Sequence, residues 1–159
     1  MNEKPLNKVL KYLSMTSQLL RVLILQLIFL LLMSLLFVGC GEINTTIPNK
    51  AYKYWAGTHA SSDLKILKGQ YWQSSHWTKE YILYLKLRPT FTWWNEFLKQ
   101  NHLRIDTTIW TMPSDAPKWF QPSKNFVRFR FYDSGNFDQG SRYFRDTINN
   151  DCYIYEIQL

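Results

Sequence analysis

Arg128 and Arg130 alternate with Val127, Phe129 and Phe131, so both guanidiniums fall on one face of a predicted strand and the apolar residues on the other. Like charges side by side on a sheet repel, and they require nearby acids or an anionic partner. Arg142 or Arg145 on the following predicted strand can join that face. Glu156, which alternates with Tyr153, Tyr155 and Ile157, is the acid available within the sheet. The chemistry on offer is ion pairing, either within a solvated face or toward an acidic partner.

The second chemical feature is aromatic. Trp72, Trp77, Trp110 and the pair Trp119-Phe120 fall in loops or near predicted strand ends. Rings in such places stack on sugar faces, anchor a protein partner, or turn inward as core. The segment Asp115–Pro122 carries Trp119 and Phe120 between prolines, which stiffen it in advance and reduce the entropy lost on binding. The candidate interaction residues are therefore Trp119, Phe120, Arg128, Arg130, Trp72 and Trp77.

Catalytic patterns are thin. Ser62-Asp63-Leu64-Lys65 matches Ser-x-x-Lys, yet the Lys-Thr-Gly strand that accompanies it in penicillin-binding enzymes is absent. Ser75 and His76 are neighbours, a spacing that does not set an imidazole as base for that hydroxyl. His59, His76 and His102 form no i, i+4 pair, and there is no Cys-x-x-Cys. Tyr71, His76 and Asp106 could converge only through the fold. No catalytic residue, no metal and no cofactor is expected, and a small hydrolase is the last of the functional readings.

Several elements must position these residues. Residues 79–87 alternate, with Tyr81, Leu83, Leu85 and Leu87 on one side, and read as a half-buried strand that Pro89 ends. A helix follows, capped by Thr90 or Thr92, with Trp93, Trp94, Phe97 and Leu98 as its apolar stripe and Asn101 as its stop. Residues 103–111 suggest a strand with Leu103, Ile105, Thr107 and Ile109 on one face. Three prolines exclude regular structure from 113–122. Strands are predicted at Asn125–Tyr132, Ser141–Thr147 and Cys152–Leu159, with turns at 133–136 and 149–151. Residues 51–78 read as a short strand or irregular loop. The predicted class is α+β: a single small domain, one helix packed on a mainly antiparallel sheet that ends in a β-meander, preceded by an N-terminal signal or transmembrane helix.

Residues 22–38 are apolar except for Gln26 and Ser34, and Lys4, Lys8, Lys11 and Arg21 precede them against one acid, Glu3. A run of about 17 apolar residues satisfies its own backbone in a bilayer as a helix, and the basic flank stays on the cytoplasmic side. From Cys40 onward there are 15 basic and 11 acidic residues, a net charge of +4, which does not suggest nucleic acid. That part also holds 24 aromatic residues in 120, enough for a dense core without disulfides or metal.

The sequence Phe37-Val38-Gly39-Cys40 resembles the lipobox of bacterial lipoprotein precursors, with Phe37 where an aliphatic residue is usual. The resemblance implies cleavage before Cys40 and diacylation of its thiol, which anchors the chain stably in a membrane. Gly41, where retained enteric lipoproteins carry Asp, implies an outer-membrane address. An uncleaved transmembrane helix over residues 17–38 is the alternative. With Cys40 lipidated, Cys152 has no partner and reads as a small packing residue; with Cys40 free, a Cys40–Cys152 disulfide is open to it.

The expected organisation is 1–39 signal peptide or membrane anchor, 40–50 lipidated cysteine and tether, and 51–159 globular domain. The expected role is that of a cell-envelope lipoprotein whose non-catalytic domain meets a protein partner. The alternative is a carbohydrate- or peptidoglycan-binding module using exposed Trp.

Overall fold

The computed structural model describes residues 21, 23–31, 41–132 and 139–158. Two units are separated, Met1–Cys40 and Gly41–Leu159. In the first, residues 23–31 are helical and their apolar side chains are exposed. Among the described residues no helix is long and apolar enough to cross a membrane. Most of the remaining apolar run, the lipobox-like residues 37–40 and the turn expected at 133–136 lie outside the described residues.

The second unit runs β1 (Ile43–Thr45), α1 (Pro48–Ala56), β2 (Leu64–Gln73), β3 (Tyr81–Pro89), α2 (Phe91–Gln100), β4 (Leu103–Ile105), β5 (Phe126–Phe131), β6 (Arg142–Asp146) and β7 (Cys152–Gln158). The strands form one antiparallel sheet in the order β1-β2-β3-β7-β6-β5-β4. The expected meander is present in β5-β6-β7, whose bounds fall within a residue or so of those predicted. Asn150 takes the left-handed conformation in the β6–β7 turn, a backbone state that asparagine tolerates well.

Expectations change most at the start of the domain, where residues 51–78, expected as a short strand or irregular loop, hold most of α1 and all of β2. Residues 41–50, expected as a tether, instead supply β1 and the opening of α1. The domain also carries two helices rather than one. α1 has Pro48 in its first turn and Gly57 at its C-cap, left-handed at φ +69°, with the Gly57 amide donating to the Lys53 carbonyl. Ala51, Tyr52 and Trp55 face inward from it, a short stripe in an otherwise polar segment. α2 matches its prediction: the Trp93 amide donates to the Thr90 hydroxyl at 3.2 Å, Asn101 caps the far end, and Trp94 and Phe97 are buried.

Both helices supply side chains to one face of the sheet. Leu83, Leu85 and Leu87 of β3 meet Ile154 and Cys152 of β7, and Ala51, Trp94 and Phe97 from the helices complete this core. On the opposite face Tyr84, Phe144, Tyr153 and Tyr155 form a second cluster around Phe120. The strand over residues 79–87 is thus not half-buried. Tyr84, expected to point outward, is 1% exposed because the proline-rich segment lies over it. The strand expected at 103–111 stops at Ile105: the Asp106 amide still donates to the Arg128 carbonyl at 2.8 Å, but its carboxylate accepts from the Thr108 amide two residues on, which turns the chain out of the ladder.

β2 carries a register shift between Ile66 and Lys68. The extra residue keeps Leu64 and Ile66 on the same face as Gly69 and Tyr71, whereas strict alternation would have separated them. Gly69 lies where α1 crosses β2. A Cβ there would stand 2.9 Å from both Ala51 Cβ and Pro48 Cα. Replacing Gly69 by Ala must push the helix away, and overpacking of this kind costs about 1–3 kcal/mol. Thermal unfolding followed by circular dichroism should show a midpoint several degrees lower; an unchanged midpoint would mean that α1 does not rest on this glycine.

Candidate functional site

The predicted arginine face exists. Alternation along β4, β5 and β6 places Arg104, Arg128, Arg130 and Arg142 on the face opposite the helices. Its acid is Asp106, not Glu156. Asp106 Oδ2 lies 2.8 Å from Arg128 Nε and 2.7 Å from Arg142 Nε, and Oδ1 lies 3.8 Å from Arg130 Nε. The Thr108 amide and hydroxyl donate to Oδ1 at 2.9 and 2.6 Å, and Arg128 also donates to the Thr108 carbonyl. Asp106 is buried. Burial alone would raise its pKa, but the two Thr108 hydrogen bonds and the Arg142 and Arg128 charges outweigh it and hold the carboxyl below its ordinary value.

Arg142 therefore joins the face, while Arg145 does not. The Arg145 guanidinium lies over the rings of Phe91 and Trp94 on the helix side and donates to Asn150 Oδ1 at 2.7 Å. Arg104 lies over the Tyr132 ring, 4.1 Å from its centre.

The proline-rich segment shares this arginine-bearing face. Phe120 is 1% exposed and meets Tyr84, Phe144 and Tyr153 edge-on. It is core, which corrects its place among the interaction residues: the sheet needs a cover on this side, and the ring supplies it. Trp119 is half-buried against Phe120, and Trp110 packs on Phe144 and Tyr155. Asp115 accepts a hydrogen bond from the Tyr84 hydroxyl at 2.9 Å, which fastens the segment to β3. Beside it a cleft of about 320 Å³ is lined by Asn44, Gln70, Trp72, Ile82, Tyr84 and Asp115. Trp72 is half-buried there, with its indole N–H donating to Glu42. Trp77 stands in the β2–β3 connection, 93% exposed.

The weaker catalytic patterns do not assemble. Ser62 and Lys65 are exposed, and so are His59, His76 and His102. The contact between His76 and Ser74 runs from the backbone amide, not the imidazole. Tyr71 belongs to the helix-side core while Asp106 sits among the arginines of the other face, so Tyr71, His76 and Asp106 do not converge. Among the described residues no group of three His, Cys, Asp or Glu side chains could hold a metal ion. Cys152 is wholly buried, and burial pushes its thiol well above the ordinary range, so it sits as a packed apolar group.

Glu156 occupies a place that the sequence reading missed. It follows Cys152 and Ile154 onto the helix side, where its carboxylate accepts from the Tyr81 hydroxyl at 2.6 Å, the Trp55 indole at 2.9 Å and the Tyr143 hydroxyl at 3.3 Å. Burial first, then the Glu156 charge, raises the pKa of Tyr81 and Tyr143, which keeps both phenols protonated as donors. The signal was present in Trp55, but it requires α1 to be recognised as a helix.

Removing the Asp106 charge leaves three arginines facing an uncharged amide. Breaking a buried pair in this way costs about 3–5 kcal/mol, so Asp106→Asn should lower unfolding stability near neutral pH by about 3 kcal/mol. The folded pKa of Asp106 lies below its unfolded value, so its contribution is complete above pH of about 4 and is lost as pH falls through the folded value. Urea titrations at falling pH should show the gap between wild type and variant closing in that range; a gap independent of pH would refute the assignment.

Compared with family models, with curated proteins and with solved structures, the chain gives no match, so its function must be read from its own geometry.

Proposed function

We propose that this chain is a cell-envelope lipoprotein, cleaved before Cys40 and lipidated on it, whose domain acts outside the cytoplasm as a non-catalytic protein-binding module. Support for the anchor is the basic head, the apolar run 22–38 and the lipobox-like residues. The observation that carries the binding role is the β4–β5 end of the sheet. Both faces of the sheet are covered, yet Ile105 is 66% exposed, Ile109 100%, Phe131 44% and Tyr132 45%. Register sets Leu103 opposite Phe131 and Ile105 opposite Phe129, so Ile105 and Phe131 share one face. β4 is an edge strand, whose free side can take a further strand from a partner. The arginines around Asp106 lie on the other face of the same strands and make this end of the sheet positive, which adds electrostatic steering toward an acidic partner.

A second reading has its own observation. The cleft beside Trp72 combines aromatic rings with the amides of Asn44 and Gln70 and the Asp115 carboxylate, the groups that meet a sugar's C–H face and hydroxyls. On this reading Trp72→Ala abolishes binding of N-acetylglucosamine oligomers by the full chain in detergent; wild type that fails to bind them excludes it.

The first reading is tested in cells. Wild type should incorporate labelled fatty acid and Cys40→Ala should not, leaving a larger precursor. With a photo-crosslinking amino acid at Ile109, one discrete envelope protein should be captured; at Thr78, on the β2–β3 connection, it should not. Absence of label from the wild type removes the anchor, and equal capture at both positions removes the β4 edge as the interface.

A further inference from the structure

The helix side of the sheet holds an open groove of about 550 Å³ between α1 and α2. That volume lies within the range of about 300–1,000 Å³ typical of small-molecule sites. Tyr52 and Trp55 from α1 and Trp93 and Phe97 from α2 give it aromatic walls. The rings are held in place: Trp93 stacks on Phe97 at 5.2 Å, and Trp55 meets Phe97 edge-on at 6.0 Å. Two carboxylates line it, Glu156 from β7 and Glu96 from α2, and among the described residues no Lys, Arg or His does so.

The state of Glu156 gives the site its sign. Two buried acids elsewhere in the domain pair with cations, Asp106 with arginines and Asp151 with Lys86 and Arg88, while buried Asp146 accepts from the backbone amides of Ile148 and Asn149 within its own turn. Glu156, among the described residues, is held by two phenols and an indole, all neutral. These orient the carboxylate without cancelling its charge. A carboxylate has about four acceptor positions. Three are taken, so one is left for a further donor.

We infer that this groove binds a small primary ammonium ion carried on an apolar stem. The aromatic faces attract the cation and cover the stem, and Glu156 supplies the countercharge and the hydrogen-bond acceptor. A divalent metal fits poorly, since calcium takes six or more oxygen ligands and, among the described residues, no group of three His, Cys, Asp or Glu side chains gathers here. The site is on the opposite face of the sheet from the cleft beside Trp72 and does not depend on the role assigned to the β4 edge.

The test uses the full chain in detergent, labelled with nitrogen-15, and n-butylammonium chloride as probe, with n-butanol as the uncharged control of the same stem. The indole N–H resonance of Trp55, assigned with Trp55→Phe, should shift saturably with butylammonium. Glu156→Gln and Trp93→Ala should each weaken the binding about tenfold, as expected for loss of the countercharge or of a cation–π wall. Where Glu156→Gln loses the dispersed spectrum of the folded chain, Glu96→Gln, which alters an exposed side chain at the same groove, must still weaken binding. A Trp55 signal that does not saturate, an affinity unchanged by these substitutions, or equal binding of n-butanol overturns the inference.

Discussion

β7 enters the sheet between β3 and β6, and the rest of the domain is arranged around it. Its neighbour β3 lies about seventy positions earlier in the chain, with Tyr81 opposite Gln158 and Leu87 opposite Cys152. The pairing joins the β1-β2-β3 half of the sheet to the β6-β5-β4 half. A central strand has no solvent face, so every side chain of β7 from Cys152 to Tyr155 is buried. Cys152 and Ile154 need the helices above them, and Tyr153 and Tyr155 need the proline-rich segment below. Loop closure over that distance is costly in entropy, and the two-sided burial of β7 is what offsets it.

This constraint explains the aromatic surplus. A sheet with one solvated face would leave tyrosines such as Tyr84 and Tyr155 half-wet, but here both faces need a cover and only one has helices. The other is covered by irregular chain, which brings few backbone contacts and must work through large rings. Phe120 fills that role at the centre, with Trp110 and Trp119 at its sides. Prolines suit such a segment because it forms no ladder whose donors they would interrupt. The same residues that look like a binding loop are thus mostly consumed in holding the sheet, and part of the apolar surface left over appears at the β4 edge.

Local signals carried much of the architecture. Thr90 and Asn101 bound α2 because caps act within a few residues, and β5, β6 and β7 are readable because alternation and turn residues agree. What failed depended on distant partners. The bulge after Ile66 breaks the period that would have revealed β2. α1 is nine residues long, with a stripe of only three inward side chains, and its support comes from Gly69, which no local pattern connects to it. Tyr84 looked outward because its cover lies some thirty positions later. For the site, alternation identified Arg128 and Arg130 as a pair, and tertiary pairing chose Asp106 as their acid.

The choice of acid follows from parity. Glu156 is two residues from Ile154 and four from Cys152, so it must share their face, and the arginines of β5 are on the other. A carboxylate on the helix side has no guanidinium within reach among its described contacts, and it takes its hydrogen bonds from Tyr81, Tyr143 and Trp55. Neutral donors satisfy the lone pairs of a charge without neutralising it. The two faces of one sheet therefore differ electrostatically for a geometric reason. On one, an acid is surrounded by arginines and its field is spent within the fold. On the other, an acid is fixed among rings with its field directed into open space between two helices.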